Sequence, residues 1–298
     1  MTRSRSLSGS DQAHAAASVP VSAYANANAN ANAAAATAGS ELRAFYEDPT
    51  VPVASGVERS RRQALLLARA LGPTRRADPA VVLDVGCGDG SAAALALPLL
   101  AGHRVIGVDW SQDALRRAAH RLPDVVRGEL SGAGLPFAAG SVDAVLFSEV
   151  VEHLVEPDAA LDELRRVLRP GGHLLLSTPN LAAWYNRALL LAGVQPVFSE
   201  VSMRAVHGRP GREVVGHLRL FTSRALRGFL AASGFTVVTL TGAPFHGVPR
   251  PLRALDRAAC RVPSLASILL VHAVKAPGRA GTAGRAARRP RPRAAPPR

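Results

Sequence analysis

The sequence predicts a doubly wound α/β domain, in which helices cover both faces of a mostly parallel sheet. Short runs of branched apolar residues alternate along the chain with stretches of helical periodicity, as strand–helix–strand units require. The first apolar run leads into a glycine-rich turn, VVLDVGCGDGS over 81–91, and a helical stretch follows it. Such a turn at the carboxyl end of a parallel strand is where α/β proteins bind nucleotide-like ligands.

The individual elements follow from the periodicity of apolar residues and from helix and turn signals. An amphipathic helix over 56–71, with a basic face opposite its apolar stripe, leads into the domain. The predicted strands are 80–85, 104–108, 142–147, 173–177, 235–240 and 268–274. The predicted helices are 91–100, 111–121, 157–168, 181–192 and 222–233, the last with Thr222 as N-cap. Two strands after the alternating series predict an antiparallel addition at the sheet edge.

The composition is that of a globular chain whose basic excess is concentrated at one end. The chain has 298 residues and is 48% hydrophobic, which allows a substantial core. Residues 277–298 carry seven arginines and no acidic residue, which predicts a basic disordered tail. Residues 1–40 are of low complexity and predict a disordered leader. The domain is expected over 56–276, with 193–216, rich in Gly, Pro and Arg, as a lid or insertion.

Cysteine content and hydropathy bear on the compartment. The chain has two cysteines, which excludes a disulfide framework or a four-thiolate zinc site and fits a reducing compartment. No apolar run reaches the ~18 residues of a membrane span, and the N-terminus lacks a signal-peptide pattern. We therefore expect a cytoplasmic protein with no membrane span, and the sequence leaves its oligomeric state open.

The turn after the first strand predicts the kind of cofactor. Gly86, Gly88 and Gly90 let the backbone approach a ligand closely, but their spacing departs from G-x-G-x-x-G and disfavours NAD. Asp84, two residues before the first glycine, would repel a pyrophosphate and suits a cationic ligand such as S-adenosylmethionine. Asp109 ends the second strand, where a carboxylate can accept hydrogen bonds from both ribose hydroxyls.

At these residues the sequence resembles the class I S-adenosylmethionine-dependent methyltransferases, over about 80–178 and more loosely to about 276. Two further matching segments are GSVDAVLFSEVVEHL over 140–154 and LRPGGHLLLSTPN over 168–180. The resemblance implies a methyltransferase with a Rossmann-like, seven-stranded, mostly parallel sheet, and it assigns the residues around S-adenosylmethionine. These are Asp84, Gly86, Cys87, Gly88, Asp109, Trp110, Glu129, Leu130 and Ser148, with Glu129 and Leu130 beside the adenine.

A metal site is a second hypothesis. If the segment after the fourth strand is helical, Glu149, Glu152 and His153 project to one side and suit Mg²⁺ or another divalent ion. SEVVEHL is similar to a segment of the ubiquinone-biosynthesis and small-RNA 2′-O-methyltransferases, where such a group binds a divalent ion, helped in the latter by a later histidine, here His217. In the alternative, Glu149 lies beside the cofactor, Glu152 is solvated, and His153 packs against the sheet. His153 or His217 could then act as a general base.

Three functions stay open. The metal-like group and the lid favour a methyltransferase that acts on a small molecule, at oxygen, in biosynthetic or secondary metabolism. The positive charge and basic tail favour an RNA methyltransferase, because such a tail binds phosphates without sequence preference. A non-catalytic cofactor-binding scaffold is the third, and the intact cofactor set argues against it. Acceptor choice is assigned to a lid over 181–221, whose aromatic residues are expected to pack more often than to bind. The lid candidates are Trp184, Tyr185, Phe198, His207, Arg209 and Arg212.

Overall fold

The computed structural model describes residues 43, 56–72, 79–130 and 134–277. The chain divides into two units, Met1–Arg43 and Ala44–Arg298, and the fold given below is that of the second. The predicted leader over 1–40 and the predicted basic tail beyond Pro277 lie outside the described residues. Within the described ranges, no helix has both the length and the apolar character needed to cross a membrane.

Seven strands form one sheet in the order β3-β2-β1-β4-β5-β7-β6. The strands are β1 (Val81–Val85), β2 (Arg104–Asp109), β3 (Asp124–Arg127), β4 (Val142–Ser148), β5 (Leu168–Pro179), β6 (Phe235–Ala243) and β7 (Ile268–Lys275). β7 is antiparallel to both of its neighbours, β5 and β6, whereas β1 to β5 pair in parallel. The predicted seven-stranded, mostly parallel sheet is confirmed. The antiparallel strand comes late in the chain as predicted, but it is β7 and lies between β5 and β6, so that β6 forms the sheet edge.

Helices flank the sheet on both faces. They are α1 (Val57–Leu71), α2 (Ser91–Ala94), α3 (Gln112–Ala118), α4 (Pro157–Val167), α5 (Trp184–Leu191), α6 (Ser223–Ala232) and α7 (Arg253–Ala259). Short 3₁₀ turns cover Leu97–Leu100, Val151–His153 and Arg250–Leu252. Thr222 caps α6 as predicted, because its hydroxyl accepts a hydrogen bond from the Ala225 amide. Residues 193–216, all of them described, form no helix or strand.

The core has one layer on each face of the sheet. Leu164 of α4 and Leu226 of α6 pack in one cluster with Leu83 of β1. Leu67 of α1 packs on the other face with Val82. Because successive strand residues point to opposite faces, the face that carries Val82 also carries Asp84. The apolar packing of α1 therefore sets the helix directly over the Asp84 carboxylate.

Three predictions about elements need correction. β3 is missed by the sequence patterns, because only four residues form it and its ends are charged. The predicted helix over 91–100 ends at Ala94 and continues as a 3₁₀ turn, since Pro98 has no amide hydrogen for an α-helical bond. β5 begins at Leu168, five residues before the predicted start at 173. The register to β4 shifts there, because residues 169–172 bulge out between two paired positions.

Asp256 of α7 ties the start of α5 to the end of the sheet. It is 1% exposed. Its carboxylate accepts hydrogen bonds from the Trp184 indole, the Phe245 amide and the Ser267 hydroxyl. These donors come from three different segments, so one buried side chain holds α5 in place.

We predict that Asp256→Ala lowers the free energy of unfolding by about 3 kcal/mol, because it leaves one buried and two half-buried donors without their acceptor. Urea denaturation of both proteins measures the difference. Asp162→Ala, at an exposed position of α4, is the matched control and should change stability by less than ~0.5 kcal/mol. Equal stabilities of the Asp256→Ala variant and the wild type would contradict this role.

Candidate active site

The predicted site residues lie at the carboxyl edge of the sheet, around the point where strand order reverses. β1 lies between β2 and β4 in the sheet, and open α/β sheets bind ligands in the crevice at such a switch point. Asp84 lies near the end of β1, and Asp109 and Ser148 are the last residues of β2 and β4. The fold therefore brings residues from distant parts of the sequence to one edge.

The glycine turn after β1 has a backbone that other residues rarely adopt. Gly86, Gly88 and Gly90 have φ of 77°, 55° and 77°. The Gly86 amide donates to the Val108 carbonyl at 2.8 Å, which fastens the turn to β2. A Cβ atom at Gly86 would lie 2.5 Å from Val150 Cγ2. A glycine is therefore required there by both conformation and space.

Asp109 is held against this turn by main-chain donors. Its Oδ2 accepts from the Gly88 amide at 2.9 Å, and its Oδ1 accepts from the Ser111 amide at 2.9 Å. Burial raises the pKa of Asp109, and these hydrogen bonds to the carboxylate lower it in part. The carboxylate is thus fixed at the end of β2, facing the glycine turn.

The other predicted cofactor residues contribute in different ways. The Cys87 side chain packs in a cluster with Leu115 of α3, so Cys87 can offer a ligand its main chain rather than its thiol. Trp110 is half-buried and its carbonyl accepts from Arg127. Glu129 and Leu130 are half-buried and follow β3, with Leu130 against the core. They therefore lie at the same edge of the sheet as Asp109.

Helix α1 covers the middle of this edge with polar side chains. Arg59 and Gln63 are buried there, although both are polar. Ser148 Oγ donates to Gln63 Oε1 at 3.0 Å, and Arg59 Nη1 lies 3.2 Å from Glu149 Oε2. The first turns of α1 therefore contact the end of β4 and the residue after it through one hydrogen bond and one ion pair.

Asp84 lies beneath α1, where nearby positive charge only partly offsets the cost of burying its carboxylate. Burial, and then repulsion from Asp109, raise its pKa to about 7, while Arg59 lowers it in part. Its Oδ2 atom is buried and has no hydrogen-bond partner. A cavity of about 10 Å³ separates it from Ser60 and Gln63 of α1, which is room for one water molecule at most.

The segment after β4 does not form the helix that would place Glu149, Glu152 and His153 on one side. Glu149 has φ of 56°, in the left-handed region, so only Val151–His153 form a helical turn. Glu149 faces Arg59 instead. Glu149 therefore does not share a helical face with Glu152 and His153.

Glu152 is completely buried, which contradicts the alternative that it is solvated. Its Oε2 accepts from the Thr178 hydroxyl at 3.0 Å, whereas its Oε1 is buried without a partner. Burial, and then repulsion from Glu149, raise the pKa of Glu152 well above its usual range. A cation placed beside Oε1 would offset both effects.

His153 and His217 are both neutral in this environment. Burial lowers the pKa of His153 to about 3 and that of His217 to about 4. Nδ1 of His153 lies 3.0 Å from the Gly216 carbonyl, and Nδ1 of His217 lies 3.3 Å from the Phe198 carbonyl. Because a carbonyl only accepts, both Nδ1 atoms carry the proton. The lone pair of each ring is then on Nε2.

These three side chains converge. Glu152, His153 and His217 each offer a ligand atom, and the three atoms lie within 4.8 Å of one another. Two imidazoles and one carboxylate form a donor set that suits a divalent transition metal ion. A metal-bound histidine commonly donates its other ring hydrogen to a carbonyl group, as both rings do here. Glu149, the fourth predicted ligand, is not part of this group.

Some of the predicted lid residues pack within the fold, and others lie next to the site. The Trp184 indole donates to Asp256 and is structural. Phe198 has φ of 73°, and its ring meets His217 at 5.3 Å and Phe245 at 4.8 Å between centroids. His207 and Arg212 are exposed, Tyr185 is half-buried, and Arg209 is paired with buried Glu200. The lid therefore contributes Phe198 and His217 to the neighbourhood of Glu152.

The sequence patterns do not identify several residues of the site. Arg59 and Gln63 could have been noticed, since a polar Gln63 next to Ala64 interrupts the apolar stripe of the predicted helix. Thr178 and Glu200 carry no comparable signal. Their roles depend on contacts with residues 26 and 15 to 17 positions away in the sequence.

The sheet order, the glycine turn and the acidic strand ends together define a class I methyltransferase domain. Residues 57–240 match a family model described as a methyltransferase domain, which is more than half of the chain. The chain therefore belongs to this methyltransferase family, and its cofactor is S-adenosylmethionine. The specific resemblance to ubiquinone-biosynthesis O-methyltransferases is not confirmed.

Individual relatives share part of the chain. A probable S-adenosylmethionine-dependent methyltransferase of Mycobacterium tuberculosis is 33% identical over 178 residues, 59% of this chain and 54% of that protein. Trans-aconitate 2-methyltransferase of Azoarcus is 39% identical over 124 residues, 41% of this chain and 46% of that protein. The chain thus spans about half the length of these relatives. The structure of the CurJ carbon methyltransferase covers 74% of this chain and 56% of its own, with a TM-score of 0.51 and 17% identity, which shows the fold alone.

We predict that Asp84→Asn stabilises the protein without cofactor, and more at pH 8 than at pH 5. The pKa of about 7 exceeds the usual 3.8, so the folded state keeps a proton that the unfolded state has lost above about pH 4. The stability of the wild type therefore falls as pH rises from about 4 to 7. The gain in the variant should be on the order of 2–4 kcal/mol at pH 8.

Urea denaturation at the two pH values measures this gain. Asp162→Asn, at an exposed position of α4, is the control and should change stability by less than ~0.5 kcal/mol at either pH. A gain that is the same at pH 5 and pH 8 would show that Asp84 is ionised at both.

Proposed function

We propose that the protein transfers the methyl group of S-adenosylmethionine to an oxygen of a small molecule, with a divalent ion bound beside the acceptor. The observation that carries this proposal is a group of buried polar atoms at one edge of the sheet that have no hydrogen-bond partner. Buried polar groups without a partner are rare, and a ligand is a common reason for them. These atoms are Arg59 Nε, Gln63 Nε2, Asp84 Oδ2, Glu149 Oε1, Glu152 Oε1 and Ser177 Oγ.

The cofactor end of this site is acidic and glycine-rich. Asp84 offers a buried carboxylate to a cationic group, and Asp109 offers one to ribose hydroxyls. When bound, S-adenosylmethionine supplies a methyl group on a positively charged sulfur. The chain then has little covalent chemistry to perform, since an in-line approach at ~3 Å is mostly positioning.

Helix α1 must shift for the methionine end of the cofactor to reach Asp84. The cavity there is about 10 Å³, whereas a pocket for a ligand of this size is typically several hundred Å³. Gln63 is held over Asp84 by a hydrogen bond with Ser148, and Arg59 by an ion pair with Glu149. Both contacts can be exchanged for contacts with a ligand. In this proposal α1 is a cover that opens and closes over the cofactor.

The acceptor end is assigned to Glu152, His153 and His217. Their donor atoms and the unpartnered Glu152 Oε1 fit a divalent ion. When bound, such an ion polarises a substrate hydroxyl and lowers its pKa. Phe198 covers His217 on one side and limits the access of water to this end. Methylation of an oxygen is favoured because a bound divalent ion makes a hydroxyl easier to deprotonate and so turns its oxygen into a better nucleophile.

A small acceptor is favoured by the size and burial of this end of the site. His217 is 9% exposed and Glu152 is not exposed, so a large acceptor would have to displace the lid. Trans-aconitate, named for one relative, is itself a small molecule. The RNA alternative rests on the basic tail, which lies outside the described residues. A screen with methyl-labelled S-adenosylmethionine tests the proposal, with hydroxylated small molecules in one arm and total RNA in the other.

We predict that Asp109→Ala weakens the binding of S-adenosylhomocysteine by ~10- to 100-fold, because hydrogen bonds to a charged group contribute ~1.5–3 kcal/mol. Calorimetric titration of the full chain measures this affinity. Asp113→Ala, at an exposed position of the following helix, should bind as the wild type does. Unchanged affinity of the Asp109→Ala variant would remove the assignment of Asp109 to the ribose.

We predict that Glu152→Gln weakens Mn²⁺ binding by at least ~10-fold, since even residues outside the ligand sphere are worth about that much. The substitution keeps the shape of the side chain and removes its charge. Paramagnetic resonance of unbound Mn²⁺ measures the affinity, with Glu156→Gln as an exposed control nearby. Equal affinities of the two variants would place the metal elsewhere.

A further inference from the structure

Glu200 is a buried carboxylate at the centre of the lid segment. Its Oε1 accepts from the Val215 amide at 2.7 Å, and its Oε2 accepts from the Gly216 and His217 amides at 2.8 and 2.9 Å. Arg209 Nη2 lies 2.9 Å from Oε1, and the two side chains of this ion pair are 5% and 2% exposed. Three consecutive amides thus converge on one carboxylate whose charge is balanced by a buried arginine.

The turn that Glu200 holds carries the carbonyl that contacts His153, and it carries His217 itself. The Gly216 carbonyl accepts from His153 Nδ1 at 3.0 Å, and the next residue in the turn is His217 itself. The Phe198 carbonyl, two residues before Glu200, accepts from His217 Nδ1 at 3.3 Å. The turn therefore contacts the imidazole of His153, and the chain just before Glu200 contacts the imidazole of His217.

The backbone at Phe198 has a conformation that its surroundings must hold in place. Phe198 and Glu149 are the residues other than glycine in the described chain with positive φ, and both lie at this site. Such conformations persist only where the surroundings hold them. Around Phe198, the surroundings include the hydrogen bonds of Glu200 to 215–217, which close the loop on itself.

We propose that Glu200 is a positioning residue of this site. Its carboxylate fixes the turn over 215–217 against the chain that follows Phe198. The Gly216 carbonyl of this turn then holds the His153 ring, and the Phe198 carbonyl holds the His217 ring, with the lone pair of each ring on Nε2. The importance of these histidines for activity rests on the proposed function. Their tautomers and directions do not, so the two ideas can be tested separately.

The test compares Glu200→Gln with the wild type by ¹⁵N nuclear magnetic resonance of the histidine rings at pH 7. In the wild type, His153 and His217 should both show the Nδ1–H form. In the variant, the amide group of Gln presents hydrogens to the turn, so both rings should shift to a mixture of tautomers. Mn²⁺ affinity should fall by ~10-fold or more in parallel.

Glu213→Gln is the matched control, because it makes the same substitution at an exposed side chain of the same loop. Its histidine tautomers and Mn²⁺ affinity should equal those of the wild type. Unchanged tautomers in the Glu200→Gln variant would overturn the proposal, and so would a wild type whose two rings lack the Nδ1–H form. If the wild type binds neither S-adenosylhomocysteine nor Mn²⁺, the proposed function fails while the tautomers still decide the role of Glu200.

A measurement on the wild type covers the case in which the Glu200→Gln variant does not fold. The amide hydrogens of Val215, Gly216 and His217 should exchange slowly with solvent, because each donates to the buried carboxylate. Fast exchange of all three would overturn the proposal.

Discussion

The site depends on the burial of several carboxylates at the carboxyl edge of one sheet, with their charge only partly balanced. Asp84, Asp109 and Glu152 are buried there, and nearby Glu149 has Arg59 as its ion-pair partner. Buried charges are unfavourable unless they are paired, so a positively charged ligand would stabilise this arrangement. A sulfonium at one end and a divalent ion at the other are the ligands that would satisfy it.

Two parts of the chain cover this edge, helix α1 and the segment over 193–216, and different interactions hold them in place. Helix α1 is anchored by the apolar side chains of Ala64 and Leu67, while its first turns meet the site through polar contacts. The segment over 193–216 has no regular structure and is held together by the buried ion pair of Glu200 and Arg209. In the proposed function, the first turns of α1 move by exchanging these polar contacts while Ala64 and Leu67 stay packed, whereas the second segment is held around His217 by buried hydrogen bonds. Cofactor exchange is therefore assigned to the side of α1.

Much of the fold can be predicted from local patterns, whereas the site can be predicted only in part. Strands such as β1 and β4 are buried apolar runs, and the glycine turn with Asp84 and Asp109 has fixed spacing. Strand β3 is not predicted, because its four residues are too few to show a strand pattern. Glu149 and Glu152 look equivalent in sequence, and only the left-handed backbone at Glu149 separates them. Glu200 acts through main-chain amides, which leave no trace in side-chain identity.

The most direct measurement is a crystal structure of the full chain with S-adenosylhomocysteine and Mn²⁺, with anomalous data that locate manganese. We expect the ammonium group of the ligand beside Asp84, its ribose beside Asp109, and α1 displaced from its contact with Ser148. We also expect one manganese peak between Glu152, His153 and His217. A ligand bound away from the ends of β1 and β2, or manganese bound elsewhere with this group left without metal, would contradict the proposed site.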